Sequence, residues 1–423
     1  MKILIWPGFS VVGLEIAEQL RFMKDVQIFS GTSEIHHPLS EMFAGVVEVP
    51  SLKTSLVLPD ARVLEDYVVF PAHDYVLDYI CSNSNQINWI GSNRETIQLT
   101  RNKKTMYEFL DENLSDISPL TFKSRAEAEL NFPFYAKPIA GYGSIGHHLV
   151  ESSGELDLLS ISEESHVLME VLNGEEFTIE CFSSAEGELI HSRARRRLRV
   201  RMGTSLSFEA PSAEINAILE SFANDINNSL KLNGPWYFQV KARGALQHDN
   251  KVLEVSTRLP GSSVWSRANG VNLAEIAIWN YRMKDVKAIE NTSEVLLERD
   301  LASKMMLKQS FDHVYVDLDD TILINGRVNH WGIAFIIQEK NKGKEIHLIS
   351  KSLAPDIIAV LSAHQILGLF DSISHLTVSD SKSLYIKHKS SIFIDDSFTE
   401  RHQIIEQLGI PCFGPDIFQL MVK

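Results

Sequence analysis

Asp317-Leu318-Asp319-Asp320-Thr321 follows the apolar run Val314-Tyr315-Val316. Two carboxylates one residue apart, Asp317 and Asp319, therefore emerge from the end of an expected buried strand. Crowding carboxylates is costly unless a cation or a shared proton compensates. The pattern suits phosphoryl transfer. Asp317 would attack phosphorus, and Asp319 would give a proton to the leaving oxygen and later take one from water. A motif at residue 317 of 423 comes too late to open the only domain.

A second set of chemistry-bearing residues lies in the middle of the chain. Phe134–Pro138 reads as a strand running into Gly141-Tyr142-Gly143-Ser144-Ile145-Gly146. Glycines let backbone N–H groups approach phosphate oxygens closely, and Lys137 at the strand end adds an ammonium. By itself such a loop also occurs in hairpins that bind nothing. Arg193, Arg195, Arg196, Arg197, Arg199 and Arg201 stand out in an acidic chain. Alternation puts Arg193, Arg195, Arg197 and Arg199 on one face of a strand. That is either a solvated edge strand, which arginine suits, or an anionic-substrate site.

The positioning elements form an alternating pattern. Lys2–Trp6, Val26–Ser30 and Tyr67–Phe70 read as strands, with a helix over about 12–23, so a small α/β domain with a parallel sheet is expected over 1–98. Gly8 and Gly13 do not complete a dinucleotide fingerprint. Arg101–Leu110 reads as one helix. Val167–Val171, Phe177–Phe182, Trp236–Ala242 and Val252–Val255 read as strands of a region over 99–290. The charged stretch Asp285–Asp300 reads as a helical connector to a last domain over 304–423.

Bulk properties narrow the classes. The 423 residues suffice for several domains, and 44% hydrophobic with 22% charged content is ordinary for a globular protein. A formal charge of −15 argues against a general nucleic-acid partner. Cys81, Cys181 and Cys412 are far apart and form no Cys-x-x-Cys pair, which argues against a disulfide framework or a structural zinc site. The N-terminus lacks a cleavage pattern and there is no 18-residue apolar stretch. No membrane span is expected, and the cytoplasm is the default location. The adjacent pairs His36-His37 and His147-His148 would point to opposite sides of a strand, so they read as surface or hydrogen-bonded polar residues.

Four segments in order carry a resemblance: Asn102-Lys103-Lys104, the Gly-rich loop after Lys137, Glu170-Val171-Leu172 through Glu176, and Leu253-Glu254-Val255-Ser256-Thr257-Arg258. Together they resemble the ATP-grasp superfamily, especially carboxylate–amine ligases related to carbamoyl phosphate synthase, over roughly residues 1–285. The resemblance implies a Rossmann-like domain preceding the ATP-grasp fold. It also implies ATP and Mg2+ (with Mn2+ as an alternative), small-molecule carboxylate and amine substrates, and an acyl phosphate; a homodimer is among the assemblies expected. Lys103, Lys137, Gly143 and Ser144 would meet the phosphates. Glu170, Val171 and Leu172 would meet adenine through the backbone, and Glu176 the ribose. Glu254 would bind magnesium, and Arg258 would stabilise the acyl phosphate. The chain departs from the family at Asn102, usually Asp, at Ser256, usually a metal-binding Asn, and at Gln239, usually the other acidic metal ligand. Family members often carry an Arg in the arginine-rich strand, followed by a Gly such as Gly203.

The last domain resembles haloacid-dehalogenase-type (HAD-like) phosphatases. His347-Leu348-Ile349-Ser350, Lys382 and Ile392-Phe393-Ile394-Asp395-Asp396 follow the first motif in order. The resemblance implies a Rossmannoid fold in which Ser350 and Lys382 hold phosphoryl oxygens, while Asp317, the Asp319 carbonyl, Asp395 and Asp396 hold Mg2+. About 25 residues separate the first two motifs, too few for a large cap. The expectation is a multidomain α/β and α+β bifunctional enzyme, a ligase fused to a phosphatase that acts on a phosphorylated metabolite. The alternatives are a small-molecule kinase, or an ATP-binding module regulating the phosphatase.

Overall fold

The computed structural model describes residues 1–52, 60–141, 145–159, 161–201, 204–244, 249–289, 297–298, 307 and 309–422 (backbone only for Val200, Arg201, Thr204 and Glu298). The chain divides into two compact units, Met1–Asp300 and Leu301–Lys423. No helix among the described residues is long and apolar enough to cross a membrane.

The first unit opens with a five-stranded parallel sheet. Its order is Gly45–Glu48, Gln27–Thr32, Lys2–Trp6, Val68–Pro71, Asn88–Trp89. The central strand buries Ile3, Leu4, Ile5 and Trp6 on both faces, as a parallel strand covered on two sides must. Its first helix, Val11–Leu20, starts on Ser10, whose hydroxyl accepts from the Gly13 amide at 3.0 Å. A Cβ on Gly8 would meet the Ser30 side chain and Cα, and one on Gly13 would meet the carbonyls of Pro7 and Gly8. These two glycines therefore permit close packing of turn, helix and strand.

Two antiparallel sheets follow. One has the order Thr121–Phe122, His166–Met169, Phe134–Pro138, His148–Val150. The other runs Asn250–Ser256, Gly234–Ala242, Glu176–Ser183, Leu189–Arg201, Thr204–Glu209, Leu297–Glu298. Helix Ala213–Ser229 covers the second sheet. Ser212 caps its first turn, and Ile215, Leu219, Ala223 and Ile226 form a buried stripe at three- and four-residue spacing. They pack with Trp236, Phe238 and Phe177 in one core. Fully burying an aliphatic or aromatic side chain of this size stabilises by roughly 1.5–3 kcal/mol.

The structure differs from the sequence expectation at two places and removes one of two open alternatives at a third. The helix expected over Arg101–Leu110 is two helices, Arg94–Arg101 and Lys103–Asn113. Asn102 breaks them by leaving helical geometry and accepting from the Lys104 and Thr105 amides. An asparagine competes with the backbone for those donors, so it caps rather than continues a helix. The connector over Asp285–Asp300 is not helical in its described part. Residues 285–289 have no regular structure, and Leu297–Glu298 is a strand paired with Ser207 and Phe208. The arginine-rich strand is not an edge strand, since Glu176–Ser183 and Thr204–Glu209 flank it.

The second unit is built on a five-stranded parallel sheet, ordered Ser372–His375, Glu345–Ser350, His313–Val316, Ser391–Ile394, Cys412–Phe413. Val314, Val316, Ile346, Leu348, Ile392 and Ile394 fill its core. Between the first two strands in sequence lie a small hairpin, Leu323–Ile324 with Arg327–Val328, and helix His330–Asn341. Asn325 and Gly326 turn the hairpin with φ of 50° and 70°, which suits this residue pair.

Candidate functional site

In the first unit a cleft of about 650 Å3 is lined by both antiparallel sheets. Lys137, from strand Phe134–Pro138, is buried and donates to the Tyr107 hydroxyl at 3.2 Å, which in turn donates to the Leu253 carbonyl at 2.6 Å. Lys103, at the start of its helix, donates to the Gly141 carbonyl at 3.3 Å. Burial lowers the pKa of both lysines, against the opposing charge of Glu254, and brings Lys137 to about 8. Two buried ammoniums beside an open cleft are an anion site in waiting.

Glu254 and Gln239 are register partners on adjacent strands, and both line the cleft. Arg258 follows on the same chain segment. It is clamped by Asp74 through two bonds of 3.0 Å and lies over the Tyr237 ring. Burial opposes charge on Asp74, but Arg258 and then Arg101 outweigh it and hold the carboxyl at about 2. A smaller hollow of about 60 Å3 shares Lys103, Glu254 and Arg258 with the cleft.

Glu170, Val171 and Leu172 form another wall. The Glu170 carboxylate is engaged by Arg243 at 2.7 and 2.8 Å and by the Leu120 amide at 2.8 Å, which pins this segment. Glu176 pairs with Arg197, whose Nε also donates to Ser205 at 2.7 Å. Arg195 is buried against Glu180, Ser205 and Ser262 and over the Phe208 ring. Arg193 donates to Asn269 at 2.7 Å and lies over the Trp265 ring. The expected alternation thus holds for Arg193, Arg195 and Arg197. A register shift between Arg197 and Arg199 breaks it there. Arg196 lies on the opposite face with Glu175 and Glu209. Gly143, Ser144 and Gly203 lie outside the described residues, as does the Arg201 side chain.

In the second unit, Asp317, Asp395 and Lys382 meet. The buried Lys382 ammonium is 2.6 Å from a carboxylate oxygen of each. Asp317, Asp395 and Asp396 bring carboxylate oxygens within 4.8 Å of one another. Burial pushes the Asp317 carboxyl up to about 7, against Lys382 and with help from Asp395; Asp395 is also raised, chiefly by burial. Two carboxylates on one ammonium, with a third close to both, suit an added divalent cation with oxygen ligands. Thr321 accepts from the Asp396 amide at 3.0 Å, and Arg401 donates to the carbonyls of Asp395 and Asp396. Asp319 is exposed just beyond. Ser350 leaves the neighbouring strand, where Val316 pairs with Leu348, and its hydroxyl accepts from the Ser352 amide at 3.1 Å.

A family model described as "ATP-grasp in the biosynthetic pathway with Ter operon" matches residues 162–301. The structure is similar to a biotin carboxylase from Campylobacter jejuni solved with β,γ-ATP. The TM-score is 0.60 at 14% identity, covering 72% of this chain and 76% of that one. It is also similar to the N5-carboxyaminoimidazole synthetase of Staphylococcus aureus complexed with ADP (TM-score 0.58, 15% identity, 71% and 83% covered). An L-amino acid ligase from Bacillus licheniformis gives TM-score 0.53 at 18% identity, with 68% and 74% covered. A search of curated protein sequences found no match.

The chain carries an ATP-grasp fold.

Several residues of the ATP-grasp cleft escaped the sequence reading. His147, expected as a surface or satisfied polar residue, lines the cleft near Tyr135, and burial with the charges of Lys137 and Lys103 lowers its pKa to about 4. Lys241, Thr178, Ser205 and Ser262 line it too. The Thr178 hydroxyl is buried and has no hydrogen-bond partner among the described residues. Lys241 carried a usable signal, since it lies two residues after Gln239 and so shares its strand face. His37 is a satisfied polar residue: its ring stacks on Phe9, and its Nδ1 accepts from the Leu39 amide.

Proposed function

We propose that the first unit is an ATP-dependent carboxylate–amine ligase and the second a magnesium-dependent phosphatase with a HAD-like fold. The organisation would be 1–98, 99–290 and 304–423. The observation that carries the ligase reading is the convergence on one cleft of Lys103, Lys137, Glu170, Val171, Leu172, Glu176, Gln239, Glu254 and Arg258, drawn from five separated segments. The volume suits a small-molecule site. The solved neighbours that hold ADP or β,γ-ATP add support.

Lys103 and Lys137 would hold phosphate oxygens of ATP, and the backbone of Glu170–Leu172 would meet adenine. Glu176, together with Arg197, would meet the ribose. Glu254 and Gln239 fit a magnesium ion, with Mn2+ as the alternative; when bound, it neutralises charge across the phosphates. A substrate carboxylate oxygen would attack the γ-phosphorus, and ADP would leave. Arg258, oriented by Asp74, would stabilise the acyl phosphate. The amine nitrogen would then attack the acyl carbon, expel phosphate and lose a proton. Phosphoryl transfer of this kind rests mainly on positioning and charge neutralisation.

In the second unit the supporting observation is the Asp317–Lys382–Asp395 contact at the ends of a parallel sheet. Asp317 would attack phosphorus and form an aspartyl phosphate, while Asp319 protonates the leaving oxygen. Water would then attack, with Asp319 as base. Lys382 and Ser350 would hold phosphoryl oxygens. Asp317, Asp395, Asp396 and the Asp319 carbonyl would hold Mg2+. Only a hairpin and one helix separate the first two motifs, so a bulky phosphorylated metabolite could enter.

The deciding experiment screens carboxylates and amines for ADP release by Asp317→Asn, with mass spectrometry of the products. ADP formation that needs both an acid and an amine supports the ligase. ADP formation without an amine, with a phosphorylated product, turns the reading to a small-molecule kinase. No ADP with any pair leaves the ATP-binding regulatory module.

A further inference from the structure

Three histidines unused by these sites gather on one face of the C-terminal sheet, at the strand ends away from Asp317. His313 opens its strand, and Glu345 lies opposite it in register. His347 lies two residues further on, opposite Tyr315, so all four side chains share a face. His388 belongs to the loop ahead of strand Ser391–Ile394.

His313 Nδ1 is 3.1 Å from His347 Nε2 and 3.4 Å from Glu345 Oε2. His347 Nε2 is 3.6 Å from the same oxygen. Ligand atoms at about 2.0–2.2 Å from a tetrahedral ion stand roughly 3.3–3.6 Å from one another. The triangle of two nitrogens and one oxygen has that size. The two imidazole nitrogens also stand at hydrogen-bond distance, but the contacts to the carboxylate are too long for strong hydrogen bonds, and the three atoms together have the spacing of a ligand set.

The surroundings prepare the ligands. His347 Nδ1 is 2.8 Å from the Ser372 hydroxyl. An N–H donated there leaves the Nε2 lone pair facing the triangle, the arrangement that orients metal-binding imidazoles. The His388 ring lies flat on that of His313, with centroids 3.6 Å apart and planes 8° apart, and its Nδ1 is 2.7 Å from the Tyr315 hydroxyl. A parallel ring cannot aim its lone pair at the triangle without turning.

We propose that His313, His347 and Glu345 form a binding site for a zinc-class divalent cation, with His388 as fourth ligand after rotation about its side-chain bonds. Two or three imidazoles and one carboxylate favour zinc over magnesium. The ion would staple the first residues of two neighbouring strands to the loop entering a third. Its role is therefore structural, and it is separate from the carboxylate site at the other strand ends.

The test uses the full chain, stripped with a chelator and titrated with Zn2+ and Co2+ in saturating Mg2+. Magnesium occupies oxygen-rich sites and competes poorly for imidazole. One equivalent of zinc should bind, the cobalt form should show tetrahedral visible bands, and zinc should raise the thermal midpoint. His347→Gln should abolish the bands. Ser372→Ala should weaken binding by roughly 10-fold or more. Glu345→Gln, at an exposed position that the fold does not depend on, should weaken it as well. No zinc in the parent chain, or unchanged binding in Glu345→Gln and Ser372→Ala, overturns the site even if His347→Gln fails to fold.

Discussion

Arg258 and Asp74 are joined by two parallel bonds of 3.0 Å across 184 residues of chain. The pair ties the segment after Glu254 to the first turn of helix Asp74–Ser82, on the N-terminal parallel sheet. Both side chains are nearly buried, at 12% and 8% exposure. Removing one partner leaves an uncompensated charge, so Asp74→Asn should cost about 3–5 kcal/mol. ADP formation should fall with it, because Arg258 loses its orientation. The carboxyl is held at about 2, below its unfolded value. Its contribution to stability is therefore present above about pH 4 and disappears as pH falls toward 2. Urea unfolding of both proteins between pH 7 and pH 2 measures this. The parent should lose the increment on acidification, and Asp74→Asn should have none to lose.

Lys137 should set an alkaline limit on nucleotide use. Its pKa is lowered to about 8, and the protonated form is the one that binds phosphate. kcat/KM for ATP should decline above about pH 8, and binding near that pH should take up a proton because ATP raises the pKa again. Calorimetry in two buffers of different ionisation enthalpy reads the proton directly. Lys137→Arg should move the decline beyond pH 10, whereas Lys137→Ala should abolish turnover. A flat profile to pH 10 in the parent would remove Lys137 from the phosphate site.

Glu254 and Gln239 face the cleft as register partners with one carboxylate between them. Glu254→Gln should eliminate ADP formation at any Mg2+ concentration. Gln239→Glu adds a second carboxylate at the same level and should lower the Mg2+ concentration for half-maximal rate several-fold. Its stability without metal should drop, because like charges then oppose each other. Magnesium titrations of both variants give the comparison, and an unchanged Mg2+ requirement in Gln239→Glu would place the metal elsewhere.

Asp317→Asn and Lys137→Ala should separate two activities. The first removes a nucleophile in the C-terminal unit, so phosphate ester hydrolysis should fall by several orders of magnitude while ADP formation stays within about twofold. The second should do the reverse. Joint loss in either folded variant would join the two chemistries in one cycle.

Lys382 bridges Asp317 and Asp395 and lowers the cost of their proximity. Lys382→Met should leave two buried carboxylates facing each other and shift the unfolding midpoint down, with Mg2+ restoring part of the loss. Thermal unfolding with and without Mg2+ checks this. A loss of stability that Mg2+ does not touch would mean that the cluster has no cation site.

Local signals carried much of this protein in its sequence. Short apolar runs marked the strands, Lys137 stood out at a strand end before a Gly-rich loop, and Lys103, Glu176, Glu254 and Arg258 were singled out by the resemblance of four ordered segments to the ATP-grasp superfamily. Asp317 was legible at the end of its apolar run, and Lys382 and Asp395 only through the resemblance to HAD-like phosphatases. Tertiary structure alone decided what those residues touch. Arg193, Arg195 and Arg197 could equally have faced solvent; flanking by two strands turned them inward onto Glu180, Glu176 and Asn269. Asp74, just past an expected strand, carried no functional signal until folding set it against Arg258, and His147 read as a surface or hydrogen-bonded polar residue until two lysines closed around it. Asn102 belonged to a helical pattern, but its side chain found two amides to cap. Periodicity reports which face of one element is apolar. It contains no term for the partner that another element brings, and burial beside a distant charge is what gives a polar residue its role.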